Sequence, residues 1–473
     1  KLRMKQLLLV FCFGAFFPVS AQELTLKKGF VIDSLVVNDS LTETFAVYLP
    51  KRFEVSKLWP IVFVFDMKGK GRQAIGMLRE AAEEEGYILA ASNNLSDTLS
   101  ITNNVLVTGR LIKSVAKLLP IEADRVYTAG FSNGARMASL IPAFIKRVEG
   151  VISCGASVTN IEILNIKNPF HFVGIVGMED YNYPEMLTVE KTLSKMKFPN
   201  QLLVFEGGAQ WPTTPYLSRA LEFFTLAAMT KDSALIDRAY IEDAYRQNLD
   251  MVGKLVATQN PLRANYLVEE MLEIYRPHRA VDSLQDLNKS LKKDKLYRSQ
   301  IRAQNSAFFK ESLIKEDYSY YLEEDVLTYN YNNLGWWNYQ MEELSKYGKS
   351  ANVFEQQMGE RLRGFINALV EDNIDLLISE TPIDLEAVNF LYMLKTITDP
   401  KGYEYYLKVI SNSAAFDDNG TALFYLEELL KNGYTDKAVL YSLENTALLR
   451  ITPEFNAIVE KYLKEARYDI IEE

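Results

Sequence analysis

Histidine is almost absent from this chain. Only His171 and His278 occur among its 473 residues. Any imidazole chemistry must draw on one of these two, and no His or Cys cluster with zinc-ligand spacing exists. Cysteine is equally scarce, with Cys12 and Cys154 alone. Cys12 lies inside an amino-terminal apolar run that reads as removable, so a mature chain keeps one thiol and no internal disulfide. Cys154 falls in the strand-like run Val151-Ile152-Ser153-Cys154-Gly155 and reads as a small core residue. There is no Walker loop and no dinucleotide fingerprint, so no nucleotide cofactor is implied. Basic clusters are missing too, which argues against nucleic acid and anionic membrane surfaces as partners. Beyond the first 21 residues no apolar stretch is long enough to span a bilayer, so no integral membrane span is expected.

What is present divides the chain. Lys1, Arg3 and Lys5 precede an apolar run from Leu7 to Phe17, followed by Val19-Ser20-Ala21. Residues 1–21 read as a signal peptide, which implies an exported protein, periplasmic or extracellular. From Gln22 to Ala228 lysines and arginines equal acids, 21 to 21; from Met229 to Glu473 they number 28 against 41, a net charge of −13. The composition shift places a domain boundary between residues 22–228 and 229–473.

The first of these regions alternates strand-like and helix-like runs. Phe30–Val37 and Glu43–Leu49 read as a hairpin. Pro60–Asp66 is an unbroken β-branched and aromatic run, as in a strand buried on both faces. Further strands are expected at Tyr87–Ser92, Arg125–Ala129, Val151–Cys154, His171–Val176 and Leu202–Phe205. Helices are expected near 73–85 and 104–118, after Ser132, and from Tyr216 past Phe224. This alternation predicts an α/β fold: a mostly parallel, doubly wound sheet covered on both faces.

The second region has no comparable strands. Apolar residues recur at three- and four-residue spacing between charges, as in Leu262–Ile274 and Gln357–Leu369. An all-α region is expected. Toward the carboxyl end, one helix pattern stops at Gly433 and another begins at Pro453. That tail resembles the closing unit of tetratricopeptide-type arrays; an irregular helical domain fits the same residues. Trp336-Trp337 read as buried anchors between helices.

The chemistry concentrates at Gly130-Phe131-Ser132-Asn133-Gly134. A strand precedes this G-x-S-x-G and a helix follows. That is the context of a nucleophile elbow, in which a sharp turn projects the serine hydroxyl and the new helix aims its backbone N–H groups at the same spot. Asn133 is the first such donor.

The run Asp124-Arg-Val-Tyr-Thr-Ala-Gly-Phe-Ser-Asn-Gly-Ala-Arg136 resembles the nucleophile region of α/β-hydrolases of the polyhydroxybutyrate depolymerase and feruloyl esterase type. Pro60–Asp66 with Gly69 and Gly71 is similar to that group's core strand and oxyanion loop. Asn93-Asn94 also fits. Gly207-Gly208-Ala209-Gln210-Trp211-Pro212 resembles the segment bearing the group's catalytic histidine, usually Gly-His-x-Trp-Pro. The resemblance spans roughly residues 30–226 and implies the α/β-hydrolase fold and serine ester chemistry. It implies Ser132 as nucleophile and Asp180 as acid, with Glu179 as fallback. Met67 or Lys68 would supply the second backbone N–H. Asp66, Gly130, Phe131, Gly134, Gln210 and Trp211 would line the pocket.

Two features depart from that pattern. Aligned on Trp211-Pro212, the place of the histidine is Ala209, and a methyl group takes no proton. Gln210 beside it has no basic site at neutral pH. Asp66-Met67 stands where many relatives have His-Gly. Of the chain's own histidines, His171 opens a strand, whereas catalytic groups gather at strand carboxyl ends. His278 reaches the site only if the helical region folds over it. Three readings follow. One is an impaired hydrolase that keeps a pocket for an ester or glycan-derived ligand. Another is a working serine esterase that borrows a base from elsewhere. The third is a scaffold that binds a protein partner through the helical region.

Overall fold

In the computed structural model the described residues are 26–38, 42–464 and 466. The expected signal segment, 1–21, lies outside them. Eight strands form one sheet in the order β1-β2-β4-β3-β5-β6-β7-β8. They are β1 (Val31–Val36), β2 (Thr44–Tyr48), β3 (Trp59–Phe65), β4 (Ile88–Ser92), β5 (Ile121–Phe131), β6 (Val148–Cys154), β7 (His171–Gly177) and β8 (Asn200–Phe205). β1 pairs antiparallel with β2, and β2 with β4. From β4 to β8 every pairing is parallel. The helices between them are α1 (Gly71–Glu85), α2 (Ile101–Leu118), α3 (Asn133–Phe144), α4 (Tyr183–Lys195) and α5 (Thr214–Lys231). This is the doubly wound α/β-hydrolase fold expected above.

Sequence fits position. β3 reads Trp-Pro-Ile-Val-Phe-Val-Phe and is buried at every residue, as a strand covered by helices on both faces must be. Apolar clusters lie on the two sides of the sheet: α1 and α5 cover one, α2, α3 and α4 the other. The expected strands all appear; β1, β2 and β4 are shorter than expected, β3 is displaced by one residue, and β5 to β8 are longer. α4 was not anticipated, although Tyr183, Met186, Val189 and Leu193 mark its buried stripe and Pro184 suits its first turn.

The rest of the chain is helical: α6 (Arg238–Ala257), α7 (Pro261–Tyr275), α8 (Asp282–Lys293), α9 (Lys295–Thr328), α10 (Leu334–Tyr347), α11 (Val353–Ser379), α12 (Leu385–Thr398), α13 (Tyr403–Ala415), α14 (Asn419–Lys431), α15 (Lys437–Ser442) and α16 (Pro453–Leu463). The charge step at residue 229 falls inside α5. Buried residues of α6, α7 and α8 share one apolar cluster with the sheet and α5. A separate core begins with α9 and runs through α16, with Trp337 fully buried in it and Trp336 packed against it. Among the described residues no helix is long and apolar enough to cross a membrane.

Candidate active site

Ser132 occupies the single residue between β5 and α3, with φ 52° and ψ −123°. Non-glycine residues avoid positive φ, so the turn is strained, as an elbow requires. The Ser132 N–H donates to the Cys154 carbonyl at 3.0 Å, and its own carbonyl accepts from Arg136 N–H at 3.0 Å. Glycine is needed on both sides because the chain passes too close for a side chain. A Cβ at Gly130 would overlap the backbone of Gly134, and one at Gly134 would overlap the Phe65 carbonyl.

The oxyanion loop follows β3. Asp66 Oδ1 accepts from Lys68 N–H at 2.8 Å and from Lys70 N–H at 3.3 Å. The Lys68 amide is therefore already engaged, which corrects its expected role as an oxyanion donor. Asp66 acts as the brace of its own turn. The Met67 carbonyl accepts from Asp97 N–H at 3.1 Å, tying this loop to the one after β4. Among the described residues neither Met67 N–H nor Asn133 N–H has a protein acceptor, so both amides are free to donate to a ligand. Burial raises the Asp97 carboxyl, and the nearby Asn133 side chain offsets part of that rise.

Asp180 sits on the turn between β7 and α4 and is buried. Its Oδ1 accepts from Asn182 N–H at 2.9 Å, and Asn182 Nδ2 donates to the Gly155 carbonyl at 2.8 Å. A Cβ at Gly155 would lie 2.9 Å from Asp180 Oδ2 and 3.0 Å from Phe131 Cε2. The acid, the elbow ring and the end of β6 thus converge. Burial pushes the Asp180 carboxyl up to about 6, against the lowering effects of its Asn182 bonds and of Lys315.

The segment aligned with the family histidine also reaches this corner. Met178 N–H donates to the Phe205 carbonyl and Glu179 N–H to the Gly207 carbonyl, each at 2.9 Å. Glu179 meets that loop through its backbone. The Trp211 ring lies 5.6 Å from that of Phe131. Ala209 and Gln210 are exposed at its edge.

Neither histidine is here. His171 begins β7 at the opposite end of the sheet, buried, with Nε2 against Gln201 Oε1. His278 lies against the carboxyl-terminal half of α5, its Nε2 3.1 Å from Thr230 Oγ1 and 3.0 Å from the Leu226 carbonyl. Cys154 is fully buried and burial raises its thiol.

Sequence reasoning missed the contribution of the helical region. α9 and α11 pack on the acid turn: Lys315 Nζ donates to the Tyr181 carbonyl at 3.0 Å, and Gly364 faces the Tyr181 ring. Farther along α11, Asp372 lies in the field of Arg136, and Asp375 helps raise the Asp97 carboxyl, burial being the larger cause. α11 therefore runs from the acid turn toward the oxyanion loop. No motif announces this, because the contacts depend on tertiary placement.

No family model matches the chain, and no curated protein matches it. Solved structures do align with it. S-formylglutathione hydrolase FrmB from Staphylococcus aureus is 12% identical, with a TM-score of 0.34 over 42% of this chain and 99% of that one. Est1E from Butyrivibrio proteoclasticus is 12% identical, with a TM-score of 0.33 over 42% and 98%. A ferulic acid esterase is 14% identical, with a TM-score of 0.33 over 41% and 97%.

Proposed function

We propose that this chain is an exported protein with a serine-esterase-like site that holds an ester or glycan-derived ligand and turns it over poorly. One observation carries the reading: Ala209 stands at the aligned histidine position, and both histidines of the chain lie away from Ser132. Ser132, Asp180 and the Met67 and Asn133 amides supply a nucleophile, an acid and two oxyanion donors. Among the described residues no imidazole stands beside them to take the serine proton. General-base assistance is worth ~10²–10⁴-fold, so ester hydrolysis should be slow. An oxyanion hole and ligand binding still leave ~10³–10⁴-fold over water.

The alternative of a base lent by His278 loses its support, because that imidazole is bonded to α5. A protein-binding role for the helical region is compatible with either site chemistry.

Fluorophosphonate labelling of the full chain tests the reading. Native protein should label weakly, Ala209→His should label readily, and Ala209→His with Ser132→Ala should not label. Strong labelling of native protein that disappears in Ser132→Ala would overturn it, since Ser132 would then be activated.

A further inference from the structure

A cavity of about 720 Å³ opens in the carboxyl-terminal helical core between α12, the end of α13 and the start of α14. None of Ser132, Asp180 and the Gly207–Pro212 segment lines it. The chain builds it at the turn Phe416-Asp417-Asp418-Asn419. Asp418 Oδ1 caps α14 by accepting from Thr421 N–H at 3.0 Å. This places Phe416 before the helix and Phe424 one turn into it, both lining the cavity. These two rings are left 50% and 58% exposed, and as neighbours on one cavity wall they form an apolar patch. Tyr331 and Tyr425 complete an aromatic wall.

The charged groups are of one sign. Glu386 and Asp418 line the cavity, and no lysine or arginine does. Asn389 forms part of the lining and is 3% exposed, and its Oδ1 has no hydrogen-bond donor among the described residues. A buried acceptor left unpaired destabilises the fold unless a ligand or water supplies the donor. The Tyr331 hydroxyl is pushed up to about 12, by burial first and then, in smaller measure, by Glu386 and Asp384. The region from Met229 onward carries a net charge of −13, so the long-range field has the same sign.

A ligand that suits these walls brings positive charge, several N–H donors and a flat face. The guanidinium group has all three: it stacks on aromatic rings and forks onto carboxylate and amide oxygens. An ammonium group lacks the flat face and the fork. The volume is that of a site for more than one side chain, and the exposed phenylalanines offer contact for apolar neighbours of the charge. We infer that the cavity between α12 and α14 binds an arginine side chain presented by an extended segment of a partner protein. This is independent of whether Ser132 reacts.

The test uses the full chain and a fluorescein-labelled Gly-Leu-Arg-Leu-Gly peptide, read by fluorescence anisotropy. Binding should saturate and weaken with added salt. The citrulline peptide, which keeps the shape and loses the charge, should bind about tenfold more weakly. The lysine peptide should also bind several-fold more weakly. Phe424→Ser changes an exposed ring and leaves the fold intact; it should weaken binding. Asp418→Asn keeps the helix cap and removes the charge; it should do the same. The inference is overturned if the arginine peptide shows no saturable binding up to millimolar concentration. It is also overturned if citrulline or lysine binds as well as arginine, or if both variants keep the native affinity.

Discussion

The guanidinium of Arg361 donates to the Met178 carbonyl at 2.6 Å, two residues before Asp180. Arg361 belongs to α11 and is buried. Its Nε and Nη2 lie 2.8 and 2.7 Å from Glu311 Oε2 on α9. Glu311 Oε1 in turn lies 2.8 Å from Lys315 Nζ, which donates to the Tyr181 carbonyl. Two helices remote in sequence thus clamp the backbone on both sides of the acid.

Breaking this clamp should be expensive. Arg361→Met leaves Glu311 buried beside Lys315 alone, and removing one partner of a buried pair costs ~3–5 kcal/mol. A thermal melt of the variant should show a drop of several degrees. Adding Glu311→Gln should recover part of it, because no buried charge is then left without its guanidinium. An unchanged melting temperature in Arg361→Met would mean that the pair contributes nothing net.

The elbow makes a prediction of opposite sign. Ser132 holds φ 52°, and strain of this kind costs ~1–3 kcal/mol in a residue with a Cβ. Ser132→Gly removes the Cβ and should stabilise the fold by about 1 kcal/mol after glycine's greater chain entropy is subtracted. Ser132→Ala keeps the Cβ and should be close to neutral. Denaturant midpoints of the two variants give the comparison; equal midpoints would show that the turn stores no strain.

Asp180 links burial to pH. Its carboxyl is raised to about 6, from an ordinary value of ~3.9 in the unfolded chain. The folded state therefore holds this proton to higher pH than the unfolded state does. The cost of ionising it is absent below the unfolded value, grows as pH rises between the two, and is complete above about 6. Asp180→Asn still accepts from Asn182 N–H and never ionises. It should stabilise the protein by about 3 kcal/mol at about pH 8 and by only about 0.5 kcal/mol near pH 4. A gain that does not depend on pH would contradict this account.

The sheet was legible because strands buried on both faces spell themselves out, as Trp59–Phe65 does, and because Gly130 and Gly134 bracket a turn that admits no Cβ. Ala209 was legible by its spacing from Trp211. The engagement of Lys68 N–H by Asp66 was weighed from sequence only as a loop brace, since nothing in Asp66-Met67-Lys68 says which amide the carboxylate takes. α4 carried a readable apolar stripe that passed unnoticed behind the acidic turn. The approach of α11 to the site had no signal at all: Arg361, Asp372 and Asp375 look like the polar face of any amphipathic helix until the fold brings them over β7 and the elbow.

His171 gives the last test, and its sign is the reverse of that of Asp180. The ring is buried against Phe224 with Nδ1 unpartnered, and burial lowers it to about 4 despite the Gln201 bond. An unfolded histidine takes up its proton near pH ~6.5, whereas the folded one stays neutral until about pH 4. Stability from this group is complete above the unfolded value and is lost as pH falls from there toward the folded value. Between about pH 7 and pH 5 the native chain should lose about 2 kcal/mol through this residue. His171→Leu cannot titrate, so the native protein should lose that amount of stability relative to the variant over the same range. His278 is unchanged in both chains and cancels from the comparison. Parallel stability curves would mean that His171 is solvated and protonates in the folded state.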